Sequence, residues 1–117
     1  MALMQITVIP LGLGSPSVGE YVADIDKFLR REGVACQLHD MGTVIEGKAA
    51  DLLTLAARIH ELPFNKGVQR TITQIVLDDR RDQAVAIGDK VASVRARLAR
   101  WNRERKHDCK TTPQKAL

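Results

Sequence analysis

From Leu3 to Leu11 the chain alternates, with Met4, Ile6, Val8 and Pro10 on one side and Gln5, Thr7 and Ile9 on the other. This is the period of a β-strand with one clearly apolar face. Gly12-Leu13-Gly14-Ser15-Pro16 breaks it. Val18, Tyr21, Val22, Ile25, Phe28 and Leu29 then recur at three- and four-residue spacing, which predicts an amphipathic helix opened by a Ser17/Glu20 capping box and stopped at Gly33. Val34 to Asp40 alternates again, and Thr43 to Glu46 follows across a Met41-Gly42 bend, where Gly42 is expected to take a positive φ. So short a connection requires antiparallel pairing. A second helical stripe (Leu52, Leu53, Ala56, Ile59) runs from about Ala49 until Pro63 kinks or ends it. A fourth strand spans Val68 to Leu77, and Val91, Val94, Leu98 and Trp101 mark a third helix.

The order β-α-β-β-α-β-α predicts an α+β fold: a ferredoxin-like βαββαβ sandwich with an additional C-terminal helix. Both long helices then cover one sheet face. The other face is expected to carry Gln5, Thr7, Ile9, Gln37, His39, Thr71, Thr73, Ile75 and Leu77, a mixture too apolar for free solvent. Such a face implies a subunit or a ligand, and a homodimer or homotetramer built through it is expected.

Length and charge refine this picture. A chain of 117 residues suits one domain, expected over residues 1–101, with 102–117 as a basic C-terminal tail. The net charge of +4 is unevenly spread: residues 1–94 carry ten basic against twelve acidic groups, while eight Lys/Arg follow from Arg95 against Glu104 and Asp108. The tail has no interleaved aromatics, which argues against a nucleic-acid module. With no apolar run near 18 residues and no basic leader followed by an apolar segment, a cytoplasmic protein without membrane contact is expected.

Candidate chemistry is sparse. Gly12-x-Gly14-x-x-Ser17 echoes a dinucleotide fingerprint, with Asp40 near the place of a ribose-binding acid, but its third glycine is a serine and the second strand turns into a hairpin. No Lys follows the glycines, which excludes a P-loop. Cys36, His39, His107 and Cys109 could be assembled into a zinc set, but the spacing of the second pair is poor; no metal and no cofactor are expected. His39 and His60 lack a nucleophile or carboxylate that spacing would place beside them, so no catalytic residue is assigned and no enzyme is expected.

Taken together, Val8-Ile9-Pro10-Leu11-Gly12 with Gly14-Ser15-x-Ser17, Met41-Gly42-Thr43-Val44-Ile45-Glu46-Gly47, Asp78-Asp79-Arg80-Arg81-Asp82, and Gly88-x-Lys90-Val91 with Ser93-Val94 resemble the small thiamine-binding protein family related to YkoF-type domains. The resemblance covers residues 4 to 99; Pro63 and the basic tail depart from it. It implies a ferredoxin-like fold, dimers and tetramers formed through open sheet faces, and binding of thiamine or its hydroxymethylpyrimidine part without catalysis. By resemblance Ser15, Ser17, Thr43, Glu46 and Asp78 lie near the ligand. Glu46 with Ser or Thr hydroxyls could fix the edge of an aminopyrimidine, and Met41, Ile45 or one of Phe28 and Phe64 could cover the ring. The competing expectation is a regulatory or scaffolding oligomer with no small-molecule ligand.

Overall fold

A computed structural model describes residues 1–108 of the chain. Its elements are β1 (Ala2–Leu11), α1 (Gly19–Glu32), β2 (Cys36–His39), β3 (Gly42–Gly47), α2 (Ala49–Glu61), a 3-10 turn (Phe64–Lys66), β4 (Arg70–Asp79) and α3 (Asp89–Asp108). The four strands form one sheet in the order β2-β3-β1-β4, and every hydrogen-bonded pair is antiparallel. This is the expected ferredoxin-like α+β fold.

Register decides which residues are covered. Met4, Ile6 and Val8 are buried, and their partners Leu77, Ile75 and Thr73 on β4 must share their face. That overturns the expected assignment of Thr71, Thr73, Ile75 and Leu77 to the open face. Ile72, Gln74, Val76 and Asp78 stand there instead, opposite Ile9, Thr7, Gln5 and Leu3. The sequence of β4 is mixed on both sides, so its own alternation could not choose; the pairing with β1 does.

The core joins Met4, Ile6, Val8 and Ile45 of the sheet to Ile25, Phe28 and Leu29 of α1 and Leu52, Leu55, Ala56 and Ile59 of α2. The two helices are linked across their surfaces by Arg58, whose Nη2 lies 2.7 Å from Glu32 Oε1 and whose guanidinium lies 4.7 Å from the Phe28 ring centroid. Helix α1 ends as expected at Gly33, which takes φ 68° and donates to the Arg30 carbonyl. Its start differs from expectation. Val18 is the N-cap and no side chain caps the helix; the Ser15 hydroxyl instead accepts the Ser17 N–H at 3.1 Å, a local turn that ends before the helix begins.

Pro63 ends α2 early: Leu62 closes it, and Pro63 caps the 3-10 turn that Gly67 (φ 90°) terminates. The hairpin corrects a second expectation. Asp40 and Met41 form the turn, whereas Gly42 opens β3 without a positive φ. Glycine is required there by crowding, because a Cβ would stand 2.7 Å from Thr7 Oγ1 and 3.1 Å from the Ile6 carbonyl oxygen.

Two units are distinguished along the chain, Met1–Ile87 and the segment from Gly88 onward. In the second, α3 continues through residues 102–108, which the sequence had suggested as tail; the rest of that tail, including Cys109 and the lysines at 110 and 115, lies outside the described residues. Val91, Val94, Leu98 and Trp101 line α3 and remain about half exposed. Arg105 stacks over Trp101 at 4.4 Å from the ring centroid. Among the described residues no helix is long and apolar enough to cross a membrane.

Candidate ligand-binding site

The ladder between β3 and β1 ends at Ile6↔Thr43. Beyond it, β1 keeps β4 on one edge but, among the described residues, has no strand neighbour on the other from Thr7 to Leu11. The hairpin turn and the first half of α1 meet around this edge. Between them lies a cavity of ≈ 260 Å³, lined by Ile6 to Ile9 of β1, by Val18, Val22 and Ile25 on the α1 side, and by Leu38 to Thr43 of the hairpin.

Its character follows from those elements. The α1 stripe and Ile6 supply apolar walls, while His39, Asp40 and Thr43 are the polar residues that line it on the hairpin side. The Thr7 hydroxyl donates to the Met41 carbonyl at 2.9 Å and holds the turn against β1. Glycine at position 42 permits that approach. The volume is just below the range of about 300–1,000 Å³ usual for drug-sized ligands. It suits one substituted ring.

The residues suggested by sequence do not converge. Met41 and Thr43 line this cavity. Ile45 is fully buried in the core beneath the helices. Glu46, next along β3, therefore points to the opposite face, opposite Leu3; its Oε1 accepts the Ile87 N–H at 3.3 Å and anchors the chain just before α3. Asp78 pairs with Leu3 on that same open face. Ser15 and Ser17 sit exposed in the β1–α1 loop and do not line the cavity. Asp40 and His39, which sequence reasoning weighed only against a ribose and a zinc ion, also line it. Their signal was the turn position next to Met41, which alternation along the strands does not register.

Elsewhere several titratable groups are engaged in local pairs. His60 Nδ1 lies 2.7 Å from Thr73 Oγ1, and its ring meets Phe64 edge-on at 5.3 Å, so it packs α2 on β4. The neighbouring Thr71 hydroxyl is buried without a partner. Asp79 and Asp82 are held below the usual carboxylate range by hydrogen bonds from Arg81 and Arg80, respectively. Partial burial pushes the Cys36 thiol up. Among the described residues no group of three or more His, Cys, Asp or Glu could hold a metal ion.

The profile of the family described as "Thiamine-binding protein" matches residues 4–95. The chain belongs to that family. Similar curated proteins carry only a family designation: UPF0045 protein YqgV of Bacillus subtilis is 44% identical over 102 residues, covering 84% of this chain and 98% of its own. A UPF0045 protein of Methanothermobacter thermautotrophicus is 36% identical over 99 residues, covering 84% and 100%. Among solved structures, hypothetical protein MJ1052 of Methanocaldococcus jannaschii superposes with a TM-score of 0.72 at 27% identity, covering 80% of this chain and 94% of its own. A Thermotoga maritima protein proposed to act in thiamine biosynthesis or salvage has a TM-score of 0.67 at 15% identity, covering 80% and 97%, and supports the fold alone.

Proposed function

We propose that this protein binds thiamine through its aminopyrimidine part, without chemical conversion, in the cavity between α1 and the β2–β3 hairpin. The observation that carries the reading is the unpaired edge of β1 opening into an apolar cavity of single-ring size. A 4-aminopyrimidine presents an amine donor beside a ring-nitrogen acceptor, the same alternation of donor and acceptor that a strand edge offers. Thr43 or Asp40 accepts from the amine, and Val22, Ile25 and Met41 enclose the ring faces. Asp40 takes the part that sequence reasoning gave to Glu46, whose carboxylate faces away. The thiazolium, being cationic, extends outward past Asp40, where opposite charge favours it. Membership in the thiamine-binding family supports the ligand class.

The open sheet face supports self-association. Ile72 and Val76 are 42% and 64% exposed at its surface, beside Leu3 and Ile9. Contiguous apolar side chains of this kind are costly in water, and a homodimer or homotetramer that packs these faces together removes the cost. Sedimentation of the wild type and of Val76→Lys tests it; an oligomer dissociated by the lysine is the expected result, and a wild-type monomer refutes it.

Binding is tested by thermal shift and calorimetry with thiamine and with hydroxymethylpyrimidine. A saturable rise in Tm with both, lost in Thr43→Val and in Asp40→Asn, is expected. No rise with either at millimolar concentration overturns the reading and leaves an oligomer without a small-molecule ligand.

A further inference from the structure

A second cavity, of ≈ 600 Å³, lies at the far end of β1, lined by Leu11 to Gly14, Tyr21, Lys66 to Gln69 and Arg70. None of its lining residues belongs to the cavity beside the hairpin. Lys66 and Arg70 are the cations among its lining residues. Lys66 Nζ lies 2.6 Å from Asp24 Oδ2 and 3.0 Å from Glu20 Oε1, and 5.6 Å from the Tyr21 ring centroid. Arg70, by contrast, has no carboxylate partner among the described residues.

The two partners of Lys66 are unequal. The Asp24 side chain is 23% exposed and is held on the side of α1, whereas that of Glu20 is 78% exposed at the first turn. A carboxylate so exposed is held weakly, since ordering a long side chain offsets most of the attraction. Glu20 thus occupies a place from which a better-placed anion can displace it. On the other side of the cavity, Gly12 (φ 78°) turns the loop with open space where a Cβ would be, and Gly14 likewise has nothing within 4 Å of that position. A loop without side chains at these points lets a ligand approach its backbone.

We propose that this cavity is a binding site for a phosphate-bearing small molecule, with Arg70 and Lys66 as its charged contacts and Glu20 as the internal group that the phosphate displaces. Arginine offers the planar, bidentate donor set that matches phosphate oxygens, and here that set is unspent. The site stands apart from the pyrimidine reading. It shares no lining residue with that cavity, and its test uses no pyrimidine.

The single tyrosine of the chain, Tyr21, lines this cavity, and the single tryptophan, Trp101, lies on α3. In a Trp101→Phe background tyrosine emission therefore reports on the site alone. Pyrophosphate titrated at constant ionic strength is expected to change that emission saturably. Arg70→Gln weakens the response about tenfold or more, the factor for one lost charge-assisted hydrogen bond, and Arg70→Lys restores part of it. Glu20→Gln, by removing the competitor, tightens binding several-fold. A response absent at millimolar pyrophosphate, unchanged in Arg70→Gln, or not tightened by Glu20→Gln overturns the proposal. So does one abolished by Arg100→Gln with Arg103→Gln, which would place the anion on α3. Circular dichroism of each variant separates loss of binding from loss of fold.

Discussion

Gly42→Ala tests the geometry on which the hairpin cavity depends. The added methyl carbon would stand 2.7 Å from Thr7 Oγ1, 3.1 Å from the Ile6 carbonyl oxygen and 3.3 Å from Gln5 Cγ. The first contact is closer than real carbons tolerate. Thr7 must rotate, which breaks its 2.9 Å hydrogen bond to the Met41 carbonyl at a cost of about 1 kcal/mol. The backbone oxygen cannot rotate away, so β3 must shift from β1, and overpacking of this kind costs about 1–3 kcal/mol. Alanine stiffens the unfolded chain and returns about 0.4–1 kcal/mol. The balance is a loss of about 1–3 kcal/mol, read by urea denaturation, and a fall in Tm of at least about 4 °C. Thr7→Ala removes the nearest contact, so Gly42→Ala should cost about 1 kcal/mol less in that background. A neutral Gly42→Ala, or equal costs in both backgrounds, would refute the claim that crowding against Thr7 sets this residue.

Ile45→Ala should destabilise by about 2–5 kcal/mol in urea, because Ile45 is fully enclosed by core side chains, whereas Glu46→Gln should cost far less, weakening one part-buried bond from the Ile87 N–H. In a Cys109→Ser background the rate of Cys36 alkylation should rise with a midpoint pH above that of a free thiol, since partial burial disfavours the thiolate; a midpoint at or below the free value contradicts this. Thr71→Val should be neutral or stabilising, because it replaces a buried hydroxyl without a partner by an isosteric methyl, while Thr73→Val should destabilise by about 1 kcal/mol or more by orphaning His60; thermal melts of the pair decide it.

The strands and helices were legible because β1 and the α1 stripe carry strong, unambiguous periods: alternate positions of β1 are buried almost without exception, as are Ile25, Phe28 and Leu29. The face of β4 was not, since polar and aliphatic residues occur on both its sides and only the Ile9↔Ile72 register, a long-range fact, resolves them. The start of α1 was misplaced because a serine three residues before a glutamate satisfies the capping pattern wherever the chain turns, and here the helix is entered one residue later, at Val18. The lining of the candidate cavity was legible only in part. Met41 and Thr43 lie at the hairpin cavity, but Glu46 entered the same group through the family resemblance, and the one step along the strand from buried Ile45 reverses its face.

The central claim is that the hairpin cavity holds an aminopyrimidine. Intermolecular nuclear Overhauser contacts between hydroxymethylpyrimidine and the methyl groups of the protein measure this most directly. Contacts from the pyrimidine ring and its methyl group to Val22, Ile25, Met41 and Thr43 are expected. Contacts to Ile72 and Val76 on the open sheet face, or none at saturating ligand, would contradict the claim.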